Sequence, residues 1–289
     1  MAYRILTDVA AQTQDLILPG LVQKYLTTNE TLAWMTTLAL DRPSISVNRV
    51  ASYGAVQKGI DCNTSLTSVA ISASNEVFNL VAYGRQYEVC NQVVGLASTF
   101  VDQAGEELLG AIKAMAQEIG VDAITGSGSG EIKGLESLIA NSVAASTVGG
   151  SGEIEAIWYL FDAVKSKSSK MALMANAKTK RRIMSALLAS AQVGTSELKG
   201  TSFLVPNFNG ASILTNDTIA DGSIYLANGD PQEGLFMAIG EHPGNNIGGL
   251  FRFVNVGPSQ NKDTQISRLF GSFAQVLKSN SAIAAITGW

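Results

Sequence analysis

The stretch Thr99–Gly126 reads TFVDQAGEELLGAIKAMAQEIGVDAITG, and it carries the clearest periodicity in the chain. Its apolar residues recur at steps of four, three and four, as in Leu108, Ile112, Met115 and Ile119. That spacing is typical of one face of an α-helix, and a glycine at the end of such a run is a common helix stop. We therefore predict a helix over about residues 99–125. At 1.5 Å per residue it would be about 40 Å long, enough to cross a whole subunit.

Upstream, residues 44–88 change to alternating β-branched and polar residues, as in Ser44–Asn48 (SISVN) and Thr67–Ser72 (TSVAIS). This pattern predicts a long two-stranded hairpin. An isolated hairpin is barely stable in water, so we expect this one to pack against a surface outside its own domain. Residues 1–43 mix short apolar patches with Pro19 and Gly20, and they predict an arm that packs elsewhere.

Downstream, glycine- and serine-rich stretches at 126–130 and 149–152 mark a domain boundary. Beyond them the pattern is α/β, with helices at 155–165 and 178–189 and strands at 171–174, 211–214 and 223–226. Strand-like segments at 235–239, 250–256 and 266–277 are expected to return to a sheet beneath the long helix, which otherwise has nothing to cover. We place one domain at 89–152 together with 246–289, and a second at 153–245.

Composition narrows the classes of function. Charged residues make up 15% of the chain against a usual value of about 25%, while hydrophobic residues make up 46%. Interface cores are depleted in charge, so this composition suits a subunit of an assembly. A net charge of -4 argues against a protein dedicated to binding nucleic acid, because such a protein needs a basic surface. No stretch reaches the length of about 18 apolar residues that a membrane span needs, so we expect no membrane partner.

The sequence offers no catalytic, cofactor or metal site. Its two cysteines, Cys62 and Cys90, and its single histidine, His242, cannot build a zinc centre. The Gly126–Gly130 run follows a helix and lacks the Lys-Ser/Thr of a phosphate-binding loop. No nucleophile elbow or metalloprotease motif occurs. We therefore predict no catalytic residue, no cofactor and no enzyme activity.

Several local runs resemble one protein family in place and order. They are Ile119–Gly126 at the end of the long helix, Gly134-Leu135, Met171–Thr179, Val205–Asn207, Ile213–Asp217 and Ile224–Asp230. Together with the order of the larger parts, they make the chain similar to the major capsid protein of tailed double-stranded DNA bacteriophages. The resemblance implies the Hong Kong 97-type α+β fold. Its parts would be an N-terminal arm (1–43), an extended hairpin loop (44–88), a peripheral domain with the spine helix and an antiparallel sheet (89–152 and 246–289), and an axial α/β domain (153–245).

The resemblance also implies a function and partners. Such a protein forms pentamers and hexamers that tile an icosahedral shell around double-stranded DNA, which it contacts non-specifically. Portal and scaffolding proteins are the implied partners, and a decoration protein is a further candidate. Assembly would take place in the host cytoplasm, and the mature location would be the virion capsid. Two alternatives stay open: an encapsulin-type nanocompartment subunit that encloses cargo enzymes, and a soluble α/β enzyme whose site is not recognisable.

Candidate contacts between subunits come from two places in the sequence. Those of the hairpin are Arg49, Tyr53, Lys58, Asp61 and Arg85, and those of the basic segment after residue 164 are Lys178, Arg181 and Arg182. The basic segment holds seven of the 20 basic residues, the other four being Lys165, Lys167, Lys170 and Lys180. It would meet acids of an adjacent subunit, form a solvated helix face or bind the phosphates of nucleic acid. The lack of interleaved aromatic residues argues against the nucleic-acid interpretation. Trp34 and Trp158 are expected to be core anchors, and Trp289 is expected to dock on a neighbour or close its own domain.

Overall fold

The computed structural model describes residues 30–52, 72–90, 100–140, 142–144, 153–189, 194–197, 204–241, 246–247 and 251–289. Its α-helices are α1 (Glu30–Trp34), α2 (Phe100–Thr125), α3 (Leu135–Leu138), α4 (Glu153–Ala163) and α5 (Ala177–Ala189). Its strands are β1 (Thr36–Leu40), β2 (Ser44–Ser52), β3 (Ser72–Asn79), β4 (Val81–Cys90), β5 (Ser142–Ala144), β6 (Met171–Ala175), β7 (Gly194–Glu197), β8 (Leu204–Phe208), β9 (Ala211–Thr215), β10 (Ile224–Asn228), β11 (Leu235–Gly240), β12 (Asn246–Ile247), β13 (Phe251–Pro258), β14 (Thr264–Leu277) and β15 (Ile283–Thr287).

The long helix predicted from the sequence is present as α2 and is the spine of the subunit. Its predicted apolar face is buried, with Ile112, Met115 and Ile119 all at most 5% exposed. The helix ends at Thr125, and the chain then turns back at Gly126 too tightly for a side chain. A Cβ built on this glycine would lie 2.1 Å from the carbonyl oxygen of Ile132.

The first sheet has six strands in the order β1-β11-β14-β13-β12, with β4 paired to β14. All of its pairings are antiparallel except that of β1 with β11. The spine helix packs on it, and edge-to-face rings of Tyr83, Phe251 and Phe273 fill the space between. The sequence pattern predicts this sheet beneath the spine helix, and the family resemblance implies that it is antiparallel.

The second sheet has seven strands in the order β5-β15-β10-β6-β9-β8-β7. Strands β6 and β9 run parallel, and α5 lies in the connection between them. Helices α4 and α5 cover one face of this sheet, with Leu160 and Ile183 fully buried. The opposite face, which includes Met174 and Tyr225, belongs to the same core as the spine helix, so the two sheets share one continuous apolar interior.

A two-stranded ribbon of β2 and β3 stands apart from both sheets. Ser44 pairs with Asn79 at its base, and Val47 and Phe78 are buried there. The predicted hairpin of 44–88 is too long at its C-terminal end, because Val81–Cys90 pairs with β14 as a strand of the first sheet.

Three other predicted boundaries also move, because long-range strand pairing sets sheet membership. Leu235–Gly240 pairs with β14 in the first sheet, which confirms the prediction for the strand at 235–239 but places it outside the second domain as bounded at 153–245. Ile283–Thr287, inside the predicted first domain, pairs with β10 in the second sheet. Residues 30–40 of the predicted arm pack within their own subunit, since β1 extends the first sheet alongside β11.

Candidate interface surfaces

Arg49, a predicted contact between subunits, is engaged inside its own subunit. Its guanidinium lies 2.6 Å from the Glu76 carboxylate, and Lys133 lies 2.6 Å from the other oxygen of that carboxylate. Arg49 also donates to the carbonyl of Leu277 at 2.9 and 3.2 Å, and it stacks over the Phe78 ring. Its side chain is only 13% exposed. The base of the ribbon is therefore fixed to the end of β14 and to the turn after the spine helix.

The other hairpin candidates divide into two groups. Tyr53, Lys58 and Asp61 lie outside the described residues, so their assignment to a subunit contact stays a prediction. Arg85 is exposed but does not belong to the ribbon, because it pairs with Leu269 within the first sheet. Among the other singled-out residues, Cys62 and His242 also lie outside the described ranges.

Tyr83 and Asp122 form a buried polar link that our sequence-based predictions miss. The Tyr83 hydroxyl donates to Oδ2 of Asp122 at 2.6 Å and accepts from the backbone N–H of Ile132 at 3.1 Å. Asp122 is 7% exposed. Burial, and then the hydrogen bond to Asp122, raise the pKa of Tyr83 well above its usual value. The sequence signal is an acid three residues after Ile119, on the apolar face of the predicted helix.

Two lysines of the basic segment hold residues 30–36 against the second sheet. Lys170 donates to the Thr36 hydroxyl at 2.9 Å. Lys180 lies 3.6 Å from the Glu30 carboxylate and donates to the Thr215 hydroxyl at 2.6 Å. Glu30 also accepts from the backbone N–H of Thr215 at 2.7 Å. Part of the basic segment therefore works within the subunit.

The three predicted contacts on α5 have different surroundings. Lys178 lies 2.7 Å from Asp221, and this hydrogen bond lowers the pKa of the Asp221 carboxyl. Because both partners are mostly exposed, such a pair contributes little to stability. Arg182 stacks over the Trp289 ring at 4.4 Å. Arg181 is exposed, and its Nε donates to the carbonyl of Ala177 in its own helix.

The two predicted tryptophan anchors differ. Trp34 is half-buried against the core and lies over Gly229, as predicted. Trp158 is 39% exposed, so its prediction as a core anchor is wrong. One part of its ring contacts Phe161 and Phe208, while the remainder faces outward from α4. The apolar neighbours of Trp158 in the sequence do not show that it lies at the edge of the buried face of α4.

Within the described ranges, no three histidine, cysteine, aspartate or glutamate side chains are grouped to hold a metal ion. No helix in the same part of the chain is long and apolar enough to cross a membrane. The surfaces that stand out are instead exposed apolar residues on helices and strands. They include Leu38, Val77, Trp158, Tyr159 and Leu188.

Comparison with solved structures decides the fold. An encapsulin from Synechococcus elongatus, solved as the holo-SrpI complex, matches with a TM-score of 0.68 and 15% identity over 88% of this chain and 84% of that chain. The capsid asymmetric unit of cyanophage A-1(L) matches with a TM-score of 0.66 and 12% identity over 90% and 92%. A virus-like particle from Pyrococcus furiosus matches at 0.57 and 11% over 94% and 98%.

The chain has the Hong Kong 97-type fold. The prediction of an α+β architecture with this topology is confirmed, although the matched structures are at most 15% identical. No family model matches the chain, and no curated protein matches its sequence. The likeness is therefore carried by the Hong Kong 97-type arrangement of spine helix and sheets.

Proposed function

We propose that the chain is the major capsid protein of a tailed-phage-like particle. Its pentamers and hexamers would form an icosahedral shell around double-stranded DNA. The observation that carries the proposal is the match to the cyanophage capsid subunit, which spans about nine tenths of both chains. Because the match covers nearly the whole chain, few residues remain for a separate catalytic domain. The proposed role is therefore structural, and the protein catalyses no reaction.

Composition and charge support a shell subunit. Only 15% of residues are charged, and a surface with few charges can be buried at interfaces with little desolvation cost. The net charge of -4 suits a container that must let DNA move in and out, since a strongly basic lining would hold the phosphates.

The ribbon of β2 and β3 supports assembly as well. Isolated two-stranded ribbons are marginal in water, yet this one carries Val77 with 55% of its surface exposed. Contact with a neighbouring subunit would bury that side chain. We accordingly propose that the ribbon and the residues between its strands, which include Tyr53, Lys58 and Asp61, contact another copy.

A second candidate is an encapsulin-type compartment that encloses a protein cargo. It is favoured by the match to the Synechococcus elongatus encapsulin, whose TM-score of 0.68 is slightly above that of the cyanophage capsid. The two candidates differ in contents. A capsid encloses DNA and carries a portal, whereas a nanocompartment encloses protein.

Particles isolated from cells that carry the gene test the proposal. They would be treated with nuclease, imaged by electron microscopy and then opened for analysis of their contents. Nuclease-protected double-stranded DNA, with a portal protein and traces of scaffold, supports the capsid. Closed shells that hold a co-purifying enzyme and no DNA support the nanocompartment. A small soluble oligomer as the sole species, from the native cells as well as from recombinant expression, contradicts both.

A further inference from the structure

The outer face of α4 carries an aromatic pair between two acids. Trp158 and Tyr159 are 39% and 38% exposed, and Glu155 and Asp162 are exposed on either side. Trp158, Tyr159 and Asp162 follow Glu155 by three, four and seven residues, so all four lie on one side of the helix. We call these four residues the acidic aromatic surface.

The outer face of α5 carries the opposite charge, which is supplied by the exposed Arg181, because Lys180 is already paired with Glu30. An open groove of about 580 Å³ runs between α5 and the end of β9. It is lined by Lys180, Arg181, Met184, Leu188 and Thr215, together with two small residues of the helix. Leu188 is 64% exposed, the highest value for a large apolar residue in the described ranges. We call these five residues the basic groove.

We propose that the acidic aromatic surface of one copy binds in the basic groove of the next copy around a ring. The inference rests on the proposed function and deepens it, because it names a contact that holds a ring of subunits together. A single copy does not make this contact with itself, since α4 and α5 pack side by side on one sheet and both surfaces face outward.

The chemistry of the two surfaces is complementary. Aromatic side chains seated in apolar grooves are the usual anchors of protein interfaces. Met184 and Leu188 supply apolar contact for Trp158 and Tyr159, and Arg181 supplies a cation that binds either the ring face or a flanking acid. Opposite charges also select the register, because pairing two acidic aromatic surfaces would set like charges against each other.

The symmetry of the contact follows from the fact that it joins two different surfaces, the acidic aromatic surface of one copy and the basic groove of the next. A surface that binds a different surface on an identical partner gives a head-to-tail contact, and such contacts form a ring when the rotation between copies closes and an open filament when it does not. Rings of five or six subunits are the units that the proposed shell needs. A two-fold contact of a surface with itself would give only dimers.

Disulfide trapping tests the contact in assembled particles. The background is the full chain with Cys62→Ser and Cys90→Ser, which removes both native thiols. Tyr159→Cys and Leu188→Cys are made separately, and the two variants are then assembled together and oxidised mildly. We expect a covalent dimer from the mixture and none from either variant alone. A mixture of Lys167→Cys with Leu188→Cys is the control, because Lys167 is exposed but lies on neither surface.

Charge reversal gives the second readout. Arg181→Glu on the Leu188→Cys chain is expected to slow cross-linking about tenfold, because it turns an attraction into a repulsion. Lys167→Glu makes the same charge change off the surface, and it should alter the rate less than about twofold. Placing Glu155→Lys and Asp162→Lys on the Tyr159→Cys chain should recover most of the rate lost to Arg181→Glu.

The outcomes separate this contact from the proposed function. Shells that form normally but give no mixed dimer overturn the contact and leave the shell function standing. So does cross-linking of either variant with itself, or an equal effect of Arg181→Glu and Lys167→Glu. Failure of the unchanged chain to form any particle counts against the proposed function. If a cysteine variant folds but loses its particles while Lys167→Cys keeps them, that loss supports the contact.

Discussion

The hydroxyl of Tyr83 lies 2.6 Å from Oδ2 of Asp122 and joins β4 to the spine helix through a buried hydrogen bond. The same hydroxyl accepts from the backbone N–H of Ile132, in the turn that follows the helix. One side chain thus ties together a strand, the helix and the turn after it. The ribbon leads directly into β4, so this link also fixes where the ribbon leaves the subunit.

Removing the Tyr83 hydroxyl should destabilise the subunit. Tyr83→Phe leaves the Asp122 carboxylate and the Ile132 N–H without their partner, which costs about 1–3 kcal/mol for buried polar groups. Urea unfolding of the unassembled chain measures this loss. Tyr159→Phe is the matched control, because it removes an exposed hydroxyl and should change the free energy of unfolding by less than about 0.5 kcal/mol. Equal effects of the two changes would show that the link contributes nothing.

A titration to alkaline pH should reveal the buried tyrosines, because their hydroxyl groups lose their protons only at unusually high pH. Burial raises the pKa of Tyr87 and of Tyr225 to about 12, and it raises that of Tyr83 further. Below pH 10 these phenols are protonated in both the folded and the unfolded chain, so they add no pH dependence. As the pH rises from 10 toward 12, the unfolded chain loses these protons first and stability falls. Phenolate absorbance near pH 11 should therefore show Tyr83, Tyr87 and Tyr225 resisting ionisation until the chain unfolds.

Substitution by alanine should change the stability of the chain in opposite directions at two glycines, one inside the spine helix and one at its end. A Cβ on Gly126 would overlap the backbone of Ile132, so Gly126→Ala should cost about 3 kcal/mol or more, or prevent folding. Gly110 lies inside the helix, and a Cβ added there would have no atom within 4 Å apart from its chain neighbours and the adjacent backbone of its own helix. Gly110→Ala should therefore stabilise the chain by about 0.5–1 kcal/mol. Thermal unfolding of both variants checks the pair, and a harmless Gly126→Ala contradicts the described turn.

Breaking the charge cluster at the base of the ribbon should loosen the ribbon locally. Arg49→Ala removes the ion pair with Glu76 and both hydrogen bonds to Leu277. Amide hydrogen exchange in residues 44–50 and 73–79 should accelerate about tenfold, with the spine helix unchanged. Arg42→Ala is the control, because its pair with Asp41 is about 80% exposed on both sides and should contribute nothing measurable. Faster exchange throughout the chain would instead indicate a global role for Arg49.

Shortening the ribbon should separate folding from assembly. Replacing residues 53–71 by a two-residue turn removes the chain beyond the paired Ser52 and Ser72 and keeps β4, which the first sheet needs. We expect a folded subunit that forms no shells, as judged by circular dichroism and sedimentation. Normal shells from this variant would refute the proposed role of the segment between subunits.

The sequence predicts the parts of the fold that local periodicity controls. The spine helix follows from Leu108, Ile112, Met115 and Ile119, whose spacing alone places the buried face. Sheet membership is harder to predict, because a strand such as Ile283–Thr287 has a pattern that suits either sheet, and only its pairing with β10 decides between them.

Side-chain roles are the least predictable part of the candidate site. Arg49 has the sequence environment of an exposed hairpin residue, yet chain segments more than 200 residues away supply two of its partners. Trp158 lies in an apolar helix, and how much of its ring is exposed depends on the position of Phe208, which belongs to a strand distant in the sequence. Both features come from tertiary packing, which periodicity does not encode.

Electron microscopy of particles assembled by the full chain tests the central claim most directly. We expect closed polyhedral shells whose reconstructed subunit has the spine helix, the six-stranded and seven-stranded sheets, and the ribbon lying against a neighbouring copy. Five- and six-fold rings should be visible at the vertices and faces. A chain that remains a monomer or small oligomer in the presence of its native cell extract, with no particle of any size, would contradict it.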